Sequence, residues 1–274
     1  MTESTILVLG ARGKTGRRVV ARLGDLGRTV RAASRTTGFD LADRATWNAA
    51  LEGAAAVYLV PMNEQVDQSV VAEFVDAAAE AGVRRIVLLS ARGVAGEVQP
   101  AQEQAERAVR ESGVAWTILR PAWFAQNFSE DFFLDPLLSG ELAIPAGEGR
   151  EPFIDAEDIA DVAAAALTGE GHTGQIYELS GPEPLSFRTA VEMIAEASGR
   201  EIRYTPVQVP DFVATLTSVG LPGEAAEFLA GLLDGISHGT GDHVSDGVQR
   251  ALGREPRPFA DYVKSAAASG AWPA

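Results

Sequence analysis

The stretch Gly10-Ala11-Arg12-Gly13-Lys14-Thr15-Gly16 follows directly on the apolar run Ile6–Leu9 and opens into a helix pattern carried by Val19, Val20 and Leu23. Three glycines at this spacing between a strand and a helix permit a tight turn, close approach of the backbone to a pyrophosphate, and close packing of helix on strand. The first turn of the helix then offers free N–H groups and a partial positive charge to phosphate oxygens. Gly10, Arg12, Gly13, Lys14, Thr15 and Gly16 are therefore expected to hold the pyrophosphate of a dinucleotide. Gly13-Lys14-Thr15 also resembles part of a triphosphate-binding loop. That loop needs a glycine five residues before the Gly-Lys pair, where this chain has Val8.

A βαβ start of this kind dictates what can follow. Strand-length apolar runs alternate with helix-period segments up to about residue 120: Thr29–Ala33, a very short Phe39–Leu41, Ala55–Val60, Arg85–Leu89 and Val114–Leu119 read as strands. Helices are expected over Glu64–Ala81, with Asn63 as N-cap and Gly82 at C′, and over Pro100–Glu111. Only Thr36, Thr37 and Gly38 separate Arg35 from Phe39, so no helix fits before that third strand. Alternation of this kind gives an α/β fold, a Rossmann-type doubly wound parallel sheet. Residues 1–140 form the expected NAD(P)-binding domain. Residues 141–274 form a smaller C-terminal substrate lobe partly interleaved with the sheet, with a helix opening at Asp155, strands at Gln175–Leu179 and Ile202–Thr205, a helix over Ser186–Ser198, and two or three short closing helices.

The end of the second strand selects between dinucleotides. An acidic residue there accepts from a ribose 2′-hydroxyl, whereas an arginine meets a 2′-phosphate. The chain reads Ala33-Ser34-Arg35-Thr36-Thr37, with no carboxylate. A guanidinium from Arg35, with the Ser34 hydroxyl beside it, suits a phosphate, so NADP(H) is preferred over NAD(H).

Charge and composition remove other classes. The net charge of −15 opposes a nucleic-acid partner. The cluster Arg12, Lys14, Arg17, Arg18, Arg22, Arg28, Arg31 and Arg35 instead suggests one anionic ligand. Without cysteine there is no disulfide or thiolate metal site. His238 and His243 flank a glycine-rich turn and are not read as metal ligands. No segment approaches the roughly 20 apolar residues of a membrane span, and no secretion signal is evident, so a cytoplasmic protein with a small-molecule substrate is expected. Its oligomeric state stays open.

Beyond the glycine turn, several stretches carry a resemblance: Phe39-Asp40-Leu41-Ala42-Asp43, Val57-Tyr58-Leu59-Val60-Pro61, Ile86-Val87-Leu88-Leu89-Ser90-Ala91, Thr117-Ile118-Leu119-Arg120-Pro121-Ala122-Trp123-Phe124 with Asn127, Pro152-Phe153-Ile154-Asp155-Ala156-Glu157-Asp158-Ile159-Ala160, and Gly181-Pro182 with Leu185-Ser186-Phe187. Together they resemble the NmrA-like branch of the atypical short-chain dehydrogenase/reductases, and within it the ergot-alkaloid-cluster reductases. The resemblance implies that Asp40 and Leu41 sit against adenine and that Val60, Pro61 and Met62 pass along the ribose and pyrophosphate. It places Ser90 and Ala91 near the nicotinamide ribose, and the Pro121–Phe124 turn beside the nicotinamide. Trp123, Phe124 and Asn127 would line the substrate pocket. Asp155 and Asp158 read as a helix N-cap and first-turn charge, not as catalysts.

Typical members of the wider superfamily protonate the nascent alkoxide with a tyrosine activated by a lysine four residues on. This chain has only Lys14 and Lys264, and Tyr262 lies two residues from Lys264, so the dyad is absent. An iminium ion needs no proton during hydride transfer, and a quinone or activated enone leaves a stabilised anion. A reductase of such electrophiles is the leading reading. An NADP(H)-binding redox sensor without turnover, or a non-redox isomerase or cyclase, remain alternatives. Ser90, Tyr58, Gln102 and Glu103 are the candidate catalytic residues, with Tyr58, mid-strand, read first as a core residue with a satisfied hydroxyl. The aromatic run Trp123, Phe124, Phe128, Phe132 and Phe133 fits either an apolar pocket or the core of the lobe.

Overall fold

In the computed structural model, residues 5–61, 68–93 and 99–273 are described. The elements are β1 (Thr5–Leu9), α1 (Lys14–Asp25), β2 (Val30–Ala33), α2 (Trp47–Leu51), β3 (Ala54–Leu59), α3 (Gln68–Glu80), β4 (Arg85–Leu89), α4 (Pro100–Glu111), β5 (Ala115–Pro121), α5 (Asn127–Glu130), α6 (Leu134–Ser139), β6 (Glu141–Ile144), β7 (Arg150–Glu151), α7 (Ala156–Thr168), β8 (Gln175–Leu179), β9 (Leu185–Ser186), α8 (Phe187–Ser198), β10 (Arg203–Pro206), α9 (Val209–Ser218), α10 (Gly223–Ser237), α11 (Gly247–Leu252) and α12 (Phe259–Ala268).

Six strands form one parallel sheet in the order β2-β1-β3-β4-β5-β8. The order reverses between β1 and β3, the switch point where open α/β sheets bind ligands at the carboxyl ends of their strands. Period-two alternation divides β1 between two cores. Leu7 and Leu9 pack with Leu51, Phe74 and Val75 on one face, and Ile6 and Val8 with Val19, Ile159 and Val162 on the other. A third core joins Phe128, Phe133, Phe153, Phe187 and Phe259 in the lobe. β8 and α7 lie beyond residue 140 yet belong to the sheet layer: Ile176 pairs with Ile118, and Val162 packs in the same core as Val19.

Three expectations are corrected. Phe39–Leu41 is a turn and not a strand. Phe39 N donates back to Ser34 O at 3.1 Å, and Ala42 N donates to the Asp40 carboxylate at 3.0 Å, which closes the chain on itself. The crossover from β2 to β3 does contain a helix, the short α2, placed after that turn. Four helices, not two or three, follow β10 among the described residues, and α10 runs for 15 residues. The start of the helix expected at Glu64, with its N-cap Asn63, lies outside the described residues. No described helix is long and apolar enough to cross a membrane.

Candidate active site

The glycine turn is built as its spacing requires. Gly10 adopts φ +61°, and Gly13 N donates to its carbonyl at 2.8 Å. A Cβ on Gly16 would lie 2.1 Å from Gly10 O, so α1 can seat on the turn only with glycine there. α1 begins at Lys14 with no side-chain cap and no acidic residue in its first turn, leaving its N–H groups open to an anion.

A groove of about 660 Å³ lies over this turn, lined by Gly10, Arg12, Gly13, Lys14, Thr15, Ser34, Arg35, Asp40, Leu41 and Val60. Of the residues expected at the cofactor, Gly16 acts from behind through packing. Pro61 is buried outside the lining, Ser90 and Ala91 line the adjoining cavity, and Met62 lies outside the described residues. After β2 the chain makes one tight helical turn in which Ser34 N donates to Thr37 Oγ1 at 2.8 Å and the Ser34 and Thr36 hydroxyls meet at 2.9 Å. Arg35 projects from that turn.

The basic cluster is not one anion site. Arg17 and Arg18 pair with Glu130, Arg18 also with Glu157, and Arg22 with Asp161. Arg31 donates to the carbonyls of Ala50 and Glu52. These arginines tie α1 to α5 and α7 and hold α2 against β2. Arg12 and Arg35 are exposed at the groove and have no partner among the described residues. A groove with open helix N–H groups and two free guanidiniums fits a dinucleotide phosphate.

The groove continues into a second cavity of about 500 Å³ through shared walls at Lys14, Phe124 and Asp131. Lys14 Nζ donates to Asn127 Oδ1 at 2.6 Å and to Asp131, and stands 5.5 Å from the centre of the Phe124 ring. Trp123, Phe124 and Phe132 line this cavity, while Phe128 and Phe133 are buried in the lobe core, so the aromatic run serves both purposes. Phe228, Leu232 and Ile236, one stripe of α10, close the opposite side.

The candidate catalytic residues are dispersed. Tyr58 is fully buried under α1 and lines neither cavity. Burial raises its phenol far above the ordinary value, and the Thr15 side chain beside the hydroxyl offsets only part of that rise. Glu103 is exposed on α4, whereas Gln102 lines the cavity with a buried Oε1 that has no partner among the described residues. Ser90 lines the cavity but donates its hydroxyl proton to Glu106 Oε1 at 2.7 Å. Glu106 is wholly buried. Burial pushes its carboxyl up, but hydrogen bonds from Arg120 and Ser90 and the charges of Arg120 and Arg110 more than reverse this and hold it below the usual range. Asp155 caps α7 by accepting from Glu157 N at 2.9 Å, and Asp158 is buried against Arg254 and Arg257. His238 accompanies Asp234, and His243 lies 3.7 Å from Glu178.

Sequence reasoning missed Arg92, Glu106 and Glu151. Glu151 is 1% exposed and lines the second cavity. It stands one residue ahead of the Pro152–Ala160 stretch, in a two-residue strand that periodicity cannot reveal.

The sheet order, the glycine turn and the groove define a nicotinamide-dinucleotide enzyme. Residues 10–170 match the NAD(P)H-binding family model. The chain belongs to this family, as an NmrA-like, atypical short-chain oxidoreductase that uses NAD(P)H. It is 35% identical to a (4-alkanoyl-5-oxo-2,5-dihydrofuran-3-yl)methyl phosphate reductase of Streptomyces griseus, covering 94% of this chain and 96% of that one. It is 33% identical to festuclavine dehydrogenase easG of Aspergillus fumigatus, covering 95% and 97%. Among solved structures, an NADPH complex of an Escherichia coli quinone oxidoreductase aligns with a TM-score of 0.76 at 26% identity over 95% of this chain and 99% of that one.

Proposed function

We propose that this protein is an NADPH-dependent reductase of a small, flat, largely apolar electrophile: a quinone, an iminium ion or an activated enone. The observation that carries this reading is the continuity of the two cavities. A phosphate-binding groove opens past Lys14 and Phe124 into a chamber walled by Trp123, Phe132, Phe228 and Leu232. Bound dinucleotide would supply a hydride at that junction. The chain's part is to orient and to exclude water. α1 and Arg12 hold phosphates, the Pro121–Phe124 turn presents Phe124 to both cavities, and α10 covers the far side.

The Tyr/Lys dyad of the wider superfamily is absent from the sequence, which favours acceptors that yield a neutral product or a stabilised anion. A relative named as a reductase of an oxo-dihydrofuran and a structural neighbour named as an NADPH-dependent quinone oxidoreductase support the enone and quinone classes. Preference for NADPH rests on Arg35, on the Ser34 and Thr36 hydroxyls beside it, and on the absence of a carboxylate after β2.

The test is NADPH oxidation followed at 340 nm with purified protein and a panel of quinones, cyclic iminium ions, activated enones and simple ketones. Oxidation with at least one of the first three classes, faster than with simple ketones, is expected. Tight NADPH binding without turnover on any acceptor would overturn the reading in favour of a sensor.

A further inference from the structure

Of the titratable groups among the described residues that line the second cavity, Lys14 is committed to Asn127 and Asp131, and Asp131 is itself exposed and paired with Lys14. Ser90 donates its hydroxyl hydrogen bond to Glu106. Arg92 spends its guanidinium on the carbonyls of His243 and Gly241, at 2.9 and 2.7 Å, and on Glu151. Glu151 remains. Its Oε1 accepts from Arg92 Nη2 at 2.5 Å and from Trp123 N at 3.3 Å, which ties it to the turn that carries Phe124. Its Oε2 accepts no hydrogen bond among the described residues. That oxygen lies where a Cβ on residue 241 would fall, 2.2 Å away, so Gly241 leaves the carboxyl its seat.

Resting on the reductase reading above, we propose that Glu151 is the proton donor of this site, passing the proton on Oε2 to the anionic oxygen that hydride transfer creates on a quinone or enone. The balance closes. Hydride adds to the acceptor and carries both electrons. The Oε2–H bond breaks as the new O–H bond forms, and the carboxylate left behind is stabilised by Arg92 and Trp123 N–H. Water at the mouth of the cavity then returns the proton. An iminium acceptor becomes a neutral amine on hydride addition and does not call on Glu151.

The charges that face this carboxyl support the assignment. Burial pushes Glu151 up to about 7, with Arg92 and the Trp123 N–H pulling down and Asp242 adding to the rise. Lys14 and Asp131 stand across the same cavity, and α10 turns only Phe228, Leu232 and Ile236 towards it. A donor that titrates near neutrality is matched to its task.

The experiment compares the unaltered protein with Glu151→Gln and with Gly241→Ala, which displaces the carboxyl without removing it. Turnover on an enone or quinone should fall about 10²-fold in kcat in both variants, and the fall in rate above neutral pH expected of the unaltered protein should vanish in Glu151→Gln. Reduction of a preformed iminium ion should stay within a few-fold. Equal losses on both acceptor classes would mean that Glu151 only shapes the cavity, and would overturn the proposal while leaving the reductase reading intact. A readout independent of turnover is the infrared carbonyl band of a protonated carboxyl in the unaltered protein, labelled with ¹³C-glutamate. The band should be present at pH 6 and lost by pH 8.5. Its absence at pH 6 would also overturn the proposal, even if Glu151→Gln failed to fold. No NADPH oxidation by the unaltered protein with any acceptor would overturn the reductase reading and this role with it.

Discussion

Ser90 and Glu106 meet at 2.7 Å beneath the second cavity, with the serine as donor and the glutamate held from behind by Arg120 at 2.6 Å. The serine at the end of β4 is thereby turned into an acceptor towards anything that binds above it. Glu106→Gln keeps the shape but frees this geometry and leaves Arg120 and Arg110 without their shared charge. It is expected to destabilise the fold by about 2–3 kcal/mol. Because the folded state holds Glu106 below its unfolded value, this stabilisation is present above about pH 4.5 and is lost as pH falls through the lower folded value. Chemical denaturation at pH 7 and pH 3.5 checks both: the gap between protein and variant should shrink at the lower pH.

Glu151 gives the opposite sign. Its folded value is raised to about 7, so the unfolded chain releases its proton first, and stability falls as pH rises from about 4.5 to 7. Glu151→Gln cannot titrate. The stability of the unaltered protein relative to this variant is expected to drop by about 2–3 kcal/mol across that window. Parallel stability curves for the two proteins would contradict the raised carboxyl.

Tyr58 offers a control of another kind. Its hydroxyl is buried with the Thr15 side chain as its one polar neighbour and no well-formed hydrogen bond, so Tyr58→Phe removes a largely desolvated polar atom without changing the packing. Stability should stay the same or rise by about 1 kcal/mol in thermal unfolding, with NADPH binding unaltered. A loss of more than 1 kcal/mol would show that the hydroxyl is satisfied after all.

Much of the nucleotide half was legible because local chemistry decides it. The glycine spacing forces the turn, β4 and α4 follow their apolar periods to the residue, and Asp155 caps its helix by residue type alone. Phe39–Leu41 misled because three apolar-flanked residues satisfy a strand pattern while the Asp40 carboxylate offers the backbone a better local partner. The basic cluster misled because its partners, Glu130, Glu157 and Asp161, lie more than a hundred residues away and only the fold brings them to α1. The second cavity was legible only in its aromatic wall. Glu151 on β7, Arg92 after β4 and the Phe228–Leu232–Ile236 stripe of α10 come from three segments far apart in the chain, and only the fold brings them to one cavity.

Gly16→Ala places a methyl where Gly10 O stands, at 2.1 Å. α1 has to shift away from the turn, and overpacking of this kind costs about 1–3 kcal/mol. NADPH binding should be lost even at temperatures where circular dichroism shows the variant folded. Retained binding would mean that the dinucleotide does not lie on this turn.

The proposed preference for NADPH assigns its 2′-phosphate to Arg35 at the groove over Gly10–Gly16. Calorimetric titration of the unaltered protein and of Arg35→Ala with NADPH and NADH tests it directly. A charge-assisted contact worth about 1.5–3 kcal/mol corresponds to roughly 10- to 150-fold in affinity. NADPH should bind the unaltered protein more tightly than NADH by that factor, and Arg35→Ala should erase the difference by weakening NADPH alone. Equal affinity for the two dinucleotides, or a preference that survives Arg35→Ala, would contradict the account.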